Sequence, residues 1–191
     1  MREFIYYSSK GRTSGNFTDL MKAGRLDIAC HVVISSFFLS HKIREDIKLH
    51  LILDGLPDPP KHIEFRYHPE MPISKKDVGG LLKRILFKYK KEQKIEVFPG
   101  CFIEKKSLRN LIQNLNNKNI YLLDKKGEDI RNIDINEDSV FILGDQEGLP
   151  KKEKKLLLKK FNIKLVSVGK LDYFASQVIS IVNNEIDRRN I

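Results

Sequence analysis

Val140-Phe141-Ile142-Leu143-Gly144-Asp145-Gln146-Glu147-Gly148-Leu149-Pro150 is the stretch that decides the fold class of this chain. Four apolar residues with no polar residue among them read as a strand buried on both faces of a parallel sheet. The run ends in a loop with two glycines, where backbone N–H and C=O groups can approach a ligand closely. Asp145 is placed to brace that loop or the amides of the next helix. Pro150 at a first helical position predicts a helix over Lys151–Phe161. The same features also make an ordinary strand-to-helix turn, so the loop needs its neighbours to be interpreted.

Outward from this stretch, strands and helices alternate. Ile120–Leu123 is a second all-apolar run, and Lys164–Val168 reads as the last strand. Phe174, Val178, Ile181, Val182 and Ile186 stripe a final helix. Towards the N-terminus, Glu3–Tyr7 reads as a strand and Arg25–Leu39 as a helix apolar on most sides, hence buried. Ile47–Leu53 is a strand stopped by Asp54-Gly55 and the prolines of 57–60. Ile63–Tyr67 follows as a strand. Ser74 with Asp77 three residues on resembles a capping box. It opens a helix striped by Val78, Leu81, Leu82, Ile85, Leu86 and Tyr89. Ile95–Phe98 is a short strand before Pro99-Gly100, and Leu108, Leu111, Ile112 and Leu115 mark another helix. This alternation predicts an α/β fold, a mostly parallel sheet with helices on both faces. With 191 residues, no repeat and no linker-like stretch, it predicts a single domain over 1–191. Ligands of such sheets sit at the carboxyl ends of strands, which directs attention past Leu123, Leu143 and Val168. Three adjacent strand ends offering backbone groups suit a planar neutral base such as adenine.

Charge narrows the partner. Thirty-five Lys and Arg against 25 Asp and Glu give a net charge of +10, which points to a polyanion such as nucleic acid. The basicity is concentrated. Residues 74–94 carry eight bases against Asp77 and Glu92, and residues 151–164 carry seven lysines against Glu153. Each stretch nets +6, so the rest of the chain is slightly acidic. Lys75, Lys76, Lys83, Lys90, Lys151, Lys152, Lys154 and Lys155 are the expected source of phosphate contacts. The apolar run of 32–39 is broken by two serines and falls far below the ~20 residues a membrane span needs. No basic-led apolar leader opens the sequence, and Cys30 and Cys101 are too few for a disulfide framework or a zinc site, so a reducing compartment is expected. Cys30 reads as inert core and His31 as a hydrogen-bonded core histidine. There is no GxGxxG, Walker A, HExxH or GxSxG sequence.

The polar, glycine-containing segment 13–27 joins the first strand to the first helix, and ordered loops of that length are commonly functional. It holds Asp19, Arg25 and Asp27 beside Arg12. Asp27 has a first-turn role next to the helix dipole. Asp19 has no evident capping role and is the acid free to serve as a base.

Gly24-Arg25-Leu26-Asp27, then Leu39-Ser40-His41-Lys42-Ile43-Arg44, then Leu143-Gly144-Asp145 to Gly148, then Ser167-Val168-Gly169 and finally Asn184-Glu185-Ile186-Asp187-Arg188-Arg189 occur in that order. Together they resemble the archaeal tRNA pseudouridine(54) N1-methyltransferase family, of the SPOUT class of knotted S-adenosylmethionine enzymes, over residues 1–191. The resemblance implies a C-terminal trefoil knot, a homodimer, a tRNA partner and a cytoplasmic setting, with no membrane and no metal. The apolar faces of the last helix and of Arg25–Leu39, more than a small domain readily hides, add to the expectation of a dimer. S-adenosylmethionine would be held by Leu122 or Leu123, by Gly144 and Gly148, by Leu165, Val166, Ser167, Val168, Gly169 and Lys170, and by Val178. Relatives often carry Cys at the last of these positions and a basic Arg in place of His31. Target nitrogen N1 of a pseudouridine carries a proton that must leave as the methyl arrives, so the resemblance calls for a base or orienter, Asp19. It also calls for a cation, Arg25, to hold the nucleotide's phosphate or offset charge on its carbonyls. A ribosomal-RNA pseudouridine N1-methyltransferase or ribosome assembly factor, a non-catalytic RNA-binding protein of the same fold, and a nucleotide-binding enzyme acting on small molecules remain the alternatives.

Overall fold

In a computed structural model, which describes residues 1–91, 93–115 and 117–190, eight strands form one sheet in the order β4-β5-β3-β2-β1-β7-β6-β8. The elements run β1 (Arg2–Ser8), α1 (Leu26–Phe37), β2 (Ile47–Leu53), β3 (Lys61–Arg66), α2 (Val78–Phe87), β4 (Ile95–Phe98), β5 (Cys101–Glu104), α3 (Leu108–Gln113), β6 (Asn119–Asp129), β7 (Ser139–Gly144), α4 (Lys151–Lys160), β8 (Ile163–Ser167) and α5 (Ala175–Arg189). The β2-β1-β7-β6-β8 portion is parallel throughout, and β3, β5 and β4 add an antiparallel flank. The sheet is therefore mostly parallel with helices on both faces, as the alternation predicts.

Strand alternation divides the apolar residues between two cores. Phe4, Tyr6, Leu49, Leu51, Phe141 and Leu143 face α1, α2 and α5, while Ile5, Tyr7, Ile52, Val140 and Ile142 face α3 and α4. Helices α1 and α5 pack on one another. Their apolar faces, Leu26, Ala29, Val32, Val33 and Phe37 against Ile179, Val182 and Ile186, are fully covered within the chain. Beyond that contact, Ile28 and Ile34 of α1 and Val178 and Ile181 of α5 stay half-buried and Phe174 at the start of α5 is exposed, so these two helices keep some uncovered apolar surface, as expected. Other large exposed apolar side chains include Leu56, Phe87 and Leu171.

Several boundaries differ from the sequence reading, each for a local reason. Arg25 takes left-handed backbone (φ 63°), so α1 begins one residue later, at Leu26. Ser74 caps no helix. Its carbonyl closes a turn with the amide of Asp77, and Asp77 occupies the N-cap of α2, which ends before Tyr89. Pro150 sits at the N-cap of α4 with extended ψ (135°), one position before the helix, and Phe161 lies just past its end. Phe174 is the N-cap of α5, its amide donating to Gln177 Oε1 at 2.9 Å. β5, which Pro99-Gly100 turns back onto β4, was not anticipated. His31 is exposed on α1, so the reading of a core histidine is corrected too. Cys30 is buried as expected, and burial pushes its thiol up to about 12. Glu92, one of the two acids counted in the first basic stretch, and Ile191, the last residue of the resemblance, lie outside the described residues.

Candidate active site

At the carboxyl ends of β6, β7 and β8 the chain encloses a pocket of about 450 Å³, within the range of small-molecule sites. Leu123, Gly144, Gly148, Val168, Gly169 and Val178 line it, and Ile28 of α1 closes one side. The remaining residues expected at a donor site support the pocket without lining it. Leu122 is buried on the opposite face of β6, and Leu165 faces that same side from β8. Val166 is fully buried among α1 and α5 core residues. Ser167 Oγ donates to the Gly169 carbonyl at 2.9 Å and accepts from the Gly169 amide at 3.1 Å, which shapes the turn after β8. Lys170 is exposed beside the pocket.

The glycine loop is built by its own backbone. A Cβ on Gly144 would stand 2.4 Å from the carbonyl carbon of Gly148 and 2.7 Å from the amide nitrogen of Leu149, so only glycine lets the two ends of the loop touch. Gly148 adopts φ +71°, and a Cβ there would meet nothing within 4 Å. Asp145 fastens the loop to the end of β1. Its Oδ2 accepts from Ser8 Oγ at 3.1 Å and from the Ser9 amide at 3.2 Å, and its Oδ1 accepts from the Glu147 amide at 3.0 Å. Lys10 pairs with Glu147 and adds a second tie. Among the described residues no cation pairs with Asp145, which is 8% exposed.

The pocket's electrostatics run against those of the chain. Asp124, Asp145, Glu147 and Asp172 line it against the single base Lys125, in a protein of net charge +10. Lys125 pairs with Asp172 at 3.0 Å, and Asp124 is held by Lys154 of α4. With Glu147 also paired to Lys10, Asp145 is left as the one lining carboxylate without a cation among the described residues, and one spare carboxylate, apolar walls and close backbone suit a ligand that is cationic at one end and planar at the other.

Arg25 and Asp27 immediately precede Ile28 of the pocket wall in the chain, and neither lines the pocket itself. Arg25 donates two parallel bonds to Asp27, Nε to Oδ1 and Nη2 to Oδ2, each 3.0 Å, and this guanidinium holds the Asp27 carboxyl below its ordinary range. The Tyr6 hydroxyl is buried nearby without a hydrogen-bond partner. Burial, with Asp145 and Asp27 close to it, pushes its pKa up. Asp19 is placed differently from the expectation. It is exposed and lines no part of the pocket, and its Oδ1 accepts from the amides of Met21 (2.8 Å) and Lys22 (3.1 Å). Asp19 therefore caps a turn, and the premise that it has no capping role is corrected. Asp145 braces its own loop through the Glu147 amide, as expected, whereas its anchor on Ser8 and the nearby Tyr6 hydroxyl have no sequence signal, because Ser8 and Tyr6 lie far away in the chain.

The first basic stretch runs through α2 and its flanks, with only Lys83 and Arg84 in the helix itself, and the second lies mostly on α4; the two helices pack on opposite faces of the sheet. Lys151, Lys152 and Lys155 are exposed on α4, which leaves directly from the glycine loop. Lys154 is committed to Asp124, while Lys83 and Lys75 lie over the rings of Phe17 and Phe38. A wider hollow of about 600 Å³ opens near the start of β1, where Arg2 and Arg44 are both already engaged with Asp187.

Comparison with known proteins agrees with this geometry. A family model described as "Putative SAM-dependent RNA methyltransferase" matches residues 1–191. The tRNA (pseudouridine(54)-N(1))-methyltransferase of Methanococcoides burtonii is 37% identical over 98% of this chain and 96% of its own length. That of Methanocaldococcus jannaschii is 35% identical over 100% and 98%. Among solved structures, Archaeoglobus fulgidus Nep1 bound to S-adenosylhomocysteine shares the fold, with TM-score 0.62 and 16% identity over 99% of this chain and 98% of that one. Full-length identity at this level, together with a pocket built at the expected strand ends, places the chain in the tRNA (pseudouridine(54)-N(1))-methyltransferase family of SAM-dependent RNA methyltransferases.

Proposed function

We propose that this protein methylates N1 of pseudouridine 54 in tRNA, taking the methyl group from S-adenosylmethionine. The observation that carries the reading is the match of the entire chain to enzymes of that name, joined to an acid-rich pocket at the ends of β6, β7 and β8. S-adenosylmethionine supplies, when bound, an electrophilic methyl on a sulfonium whose departure as a neutral thioether asks for no metal. The residues fit such a donor. Leu123, Leu143, Val168 and Val178 offer walls for an adenine, the Gly144–Gly148 and Gly169 backbone offers hydrogen bonds, and the spare carboxylate of Asp145 favours the positive end.

The chain's own task is to orient the target nitrogen so that its proton leaves as the methyl arrives. Arg25 remains in the role expected of it, and Asp27 takes the place of Asp19. The clamp fixes the Asp27 carboxylate just before Ile28 of the pocket wall, and from there it accepts the N1–H hydrogen bond and orients the nitrogen, while the proton passes to water. Arg25 offsets the negative charge that grows on the base carbonyls. Lys151, Lys152 and Lys155 hold phosphates near the pocket mouth, while Lys83 and the lysines flanking α2 serve a different part of the RNA or the RNA of a second subunit. In the same reading the chain is one domain with a trefoil knot among β6, β7, β8 and α5, works as a homodimer in the cytoplasm, and needs neither a membrane nor a catalytic metal.

The test is nucleoside mass spectrometry of tRNA transcripts carrying pseudouridine 54, incubated with S-adenosylmethionine and the purified protein. One methyl on N1 of that residue is expected, and a methyl on another nucleotide, or none, overturns the reading. In single-turnover assays Asp27→Asn should lose more than about tenfold in rate and Asp19→Asn less. The reverse order would return the role to Asp19.

A further inference from the structure

On the sheet face opposite α1 and α2, three buried side chains and the half-buried Glu104 form a row across β1, β2, β3 and β5. Glu3 Oε1 meets His50 Nε2 at 2.7 Å, His50 Nδ1 meets His62 Nε2 at 2.7 Å, and His62 Nδ1 meets Glu104 Oε1 at 2.9 Å. Glu64 lies alongside, its Oε2 3.8 Å from His50 Nδ1. Glu3, His50, His62 and Glu64 are each no more than 4% exposed. The row uses nothing from the methyl-transfer site. Glu3 lies five residues from Ser8 along β1, roughly 16 Å at ~3.3 Å per residue.

Proton counting makes this row informative. A carboxylate accepts and does not donate, so Glu3 and Glu104 each require an N–H from the histidine that faces them. A neutral imidazole carries a single N–H, and in both histidines the facing carboxylate places it on the outer nitrogen. The inner nitrogens, His50 Nδ1 and His62 Nε2, then face each other with lone pairs only. The ring centroids are 5.0 Å apart, so both nitrogens point along the line between the rings. Carboxylates fixing the outer N–H of two histidines whose inner nitrogens converge is the outer-shell arrangement of protein metal ligands.

We infer that His50 Nδ1, His62 Nε2 and Glu64 Oε2 form a structural binding site for one divalent late first-row cation, zinc being its natural probe, with Glu3 and Glu104 as the outer carboxylates. The donor set of two imidazoles and one carboxylate suits that class of ion and leaves a fourth position for water. Tetrahedral zinc with bonds of about 2.0–2.1 Å separates its ligands by about 3.3 Å. The two nitrogens must therefore part by roughly 0.6 Å, a shift that small side-chain rotations provide. Glu64 must also loosen its 2.9 Å bond to Lys94, whose side chain is 38% exposed and free to swing outward. Bound metal would tie parallel β1 and β2 to the antiparallel flank, and its role is stability, separate from the methyl-transfer reading.

The experiment uses the whole protein, stripped by chelation, dialysed against zinc chloride and desalted. One zinc per chain by elemental analysis is expected, with a rise in Tm that EDTA reverses. Glu104→Gln, which keeps shape and removes only the outer charge, should weaken zinc about 10–100-fold, and His62→Gln should abolish retention. No zinc on folded wild type, or undiminished zinc on His62→Gln, overturns the inference. Long-range ¹⁵N NMR of the stripped wild-type protein serves where a variant does not fold. Unprotonated His50 Nδ1 and His62 Nε2 at pH 7.5, both shifting on zinc addition, are expected there. An imidazolium holding the inner gap with a proton, unmoved by zinc, overturns it.

Discussion

Replacing Gly144 by alanine separates what the glycine loop needs from what a ligand needs. The added Cβ would overlap the Gly148 carbonyl carbon at 2.4 Å, where carbon atoms normally rest ~3.5–4.0 Å apart. The intruded atoms are backbone, so no rotamer relieves them and the loop must open by about 1 Å. Overpacking of that kind costs about 1–3 kcal/mol, which in a domain of this size lowers Tm by on the order of 5 °C. Donor affinity falls with it, because Asp145 and Glu147 move along with the strand end. Gly148→Ala is the matched control. Its Cβ meets no protein atom, so its stability cost is the left-handed backbone alone, about 1–2 kcal/mol. Differential scanning calorimetry and titration calorimetry with S-adenosylhomocysteine read both quantities. A Gly144→Ala protein with wild-type Tm and wild-type affinity would refute the claim that close backbone contact builds this pocket, and it would also remove the reason for glycine at 144.

Binding of tRNA should weaken linearly in log salt, and removing Lys151 and Lys152 together should lower the slope by up to about 1.8. An unchanged slope takes α4 out of the RNA footprint. Arg44 and Arg2 hold the Asp187 carboxyl below its ordinary 3.8, so the fastening of α5 is complete above that value and is lost as pH falls through the lower folded one. Arg44→Gln should therefore flatten the loss of Tm between pH 5 and 3, and a steeper loss contradicts the assignment. Sedimentation at micromolar concentration should give a dimer, whereas a monomer there would send the search for the second subunit's role elsewhere.

How far the sequence reaches depends on how local each cause is. β2 and β4 match their predicted limits, and β7 extends Val140–Leu143 by one residue at each end, because apolar runs between turn residues report burial directly. β6 was read only to Leu123, although it continues through Lys125, Lys126 and Gly127 to Asp129, since a polar continuation carries no burial signal. The pocket was legible because strand ends and glycines are sequence features. Its anchor was not, since Asp145 reaches Ser8 across 137 positions and only the β1–β7 pairing brings them together. The same holds for His50 and His62, which lie twelve residues apart with nothing in their spacing to mark them until the β2–β3 register sets His50 opposite Glu64 and makes His62 its diagonal neighbour. Asp19 shows the converse error, a residue judged free because its hydrogen-bond partners are main-chain amides that composition does not reveal.

The packing of α1 on α5 sets a timetable for the newborn chain. Phe37 leaves the ribosome long before Ala175, and the ~140 residues between them take on the order of 7–30 s at ~5–20 residues per second. Throughout that interval the side of α1 built for α5 has no mate, and the sheet lacks β8, its last parallel strand. Contacts so distant in sequence also slow the final closure. Truncation even a few residues into α5 would leave this face open permanently, so premature termination is expected to yield aggregated rather than merely inactive protein. The same chain is most exposed to chaperones and proteases in the seconds before its C-terminus is released.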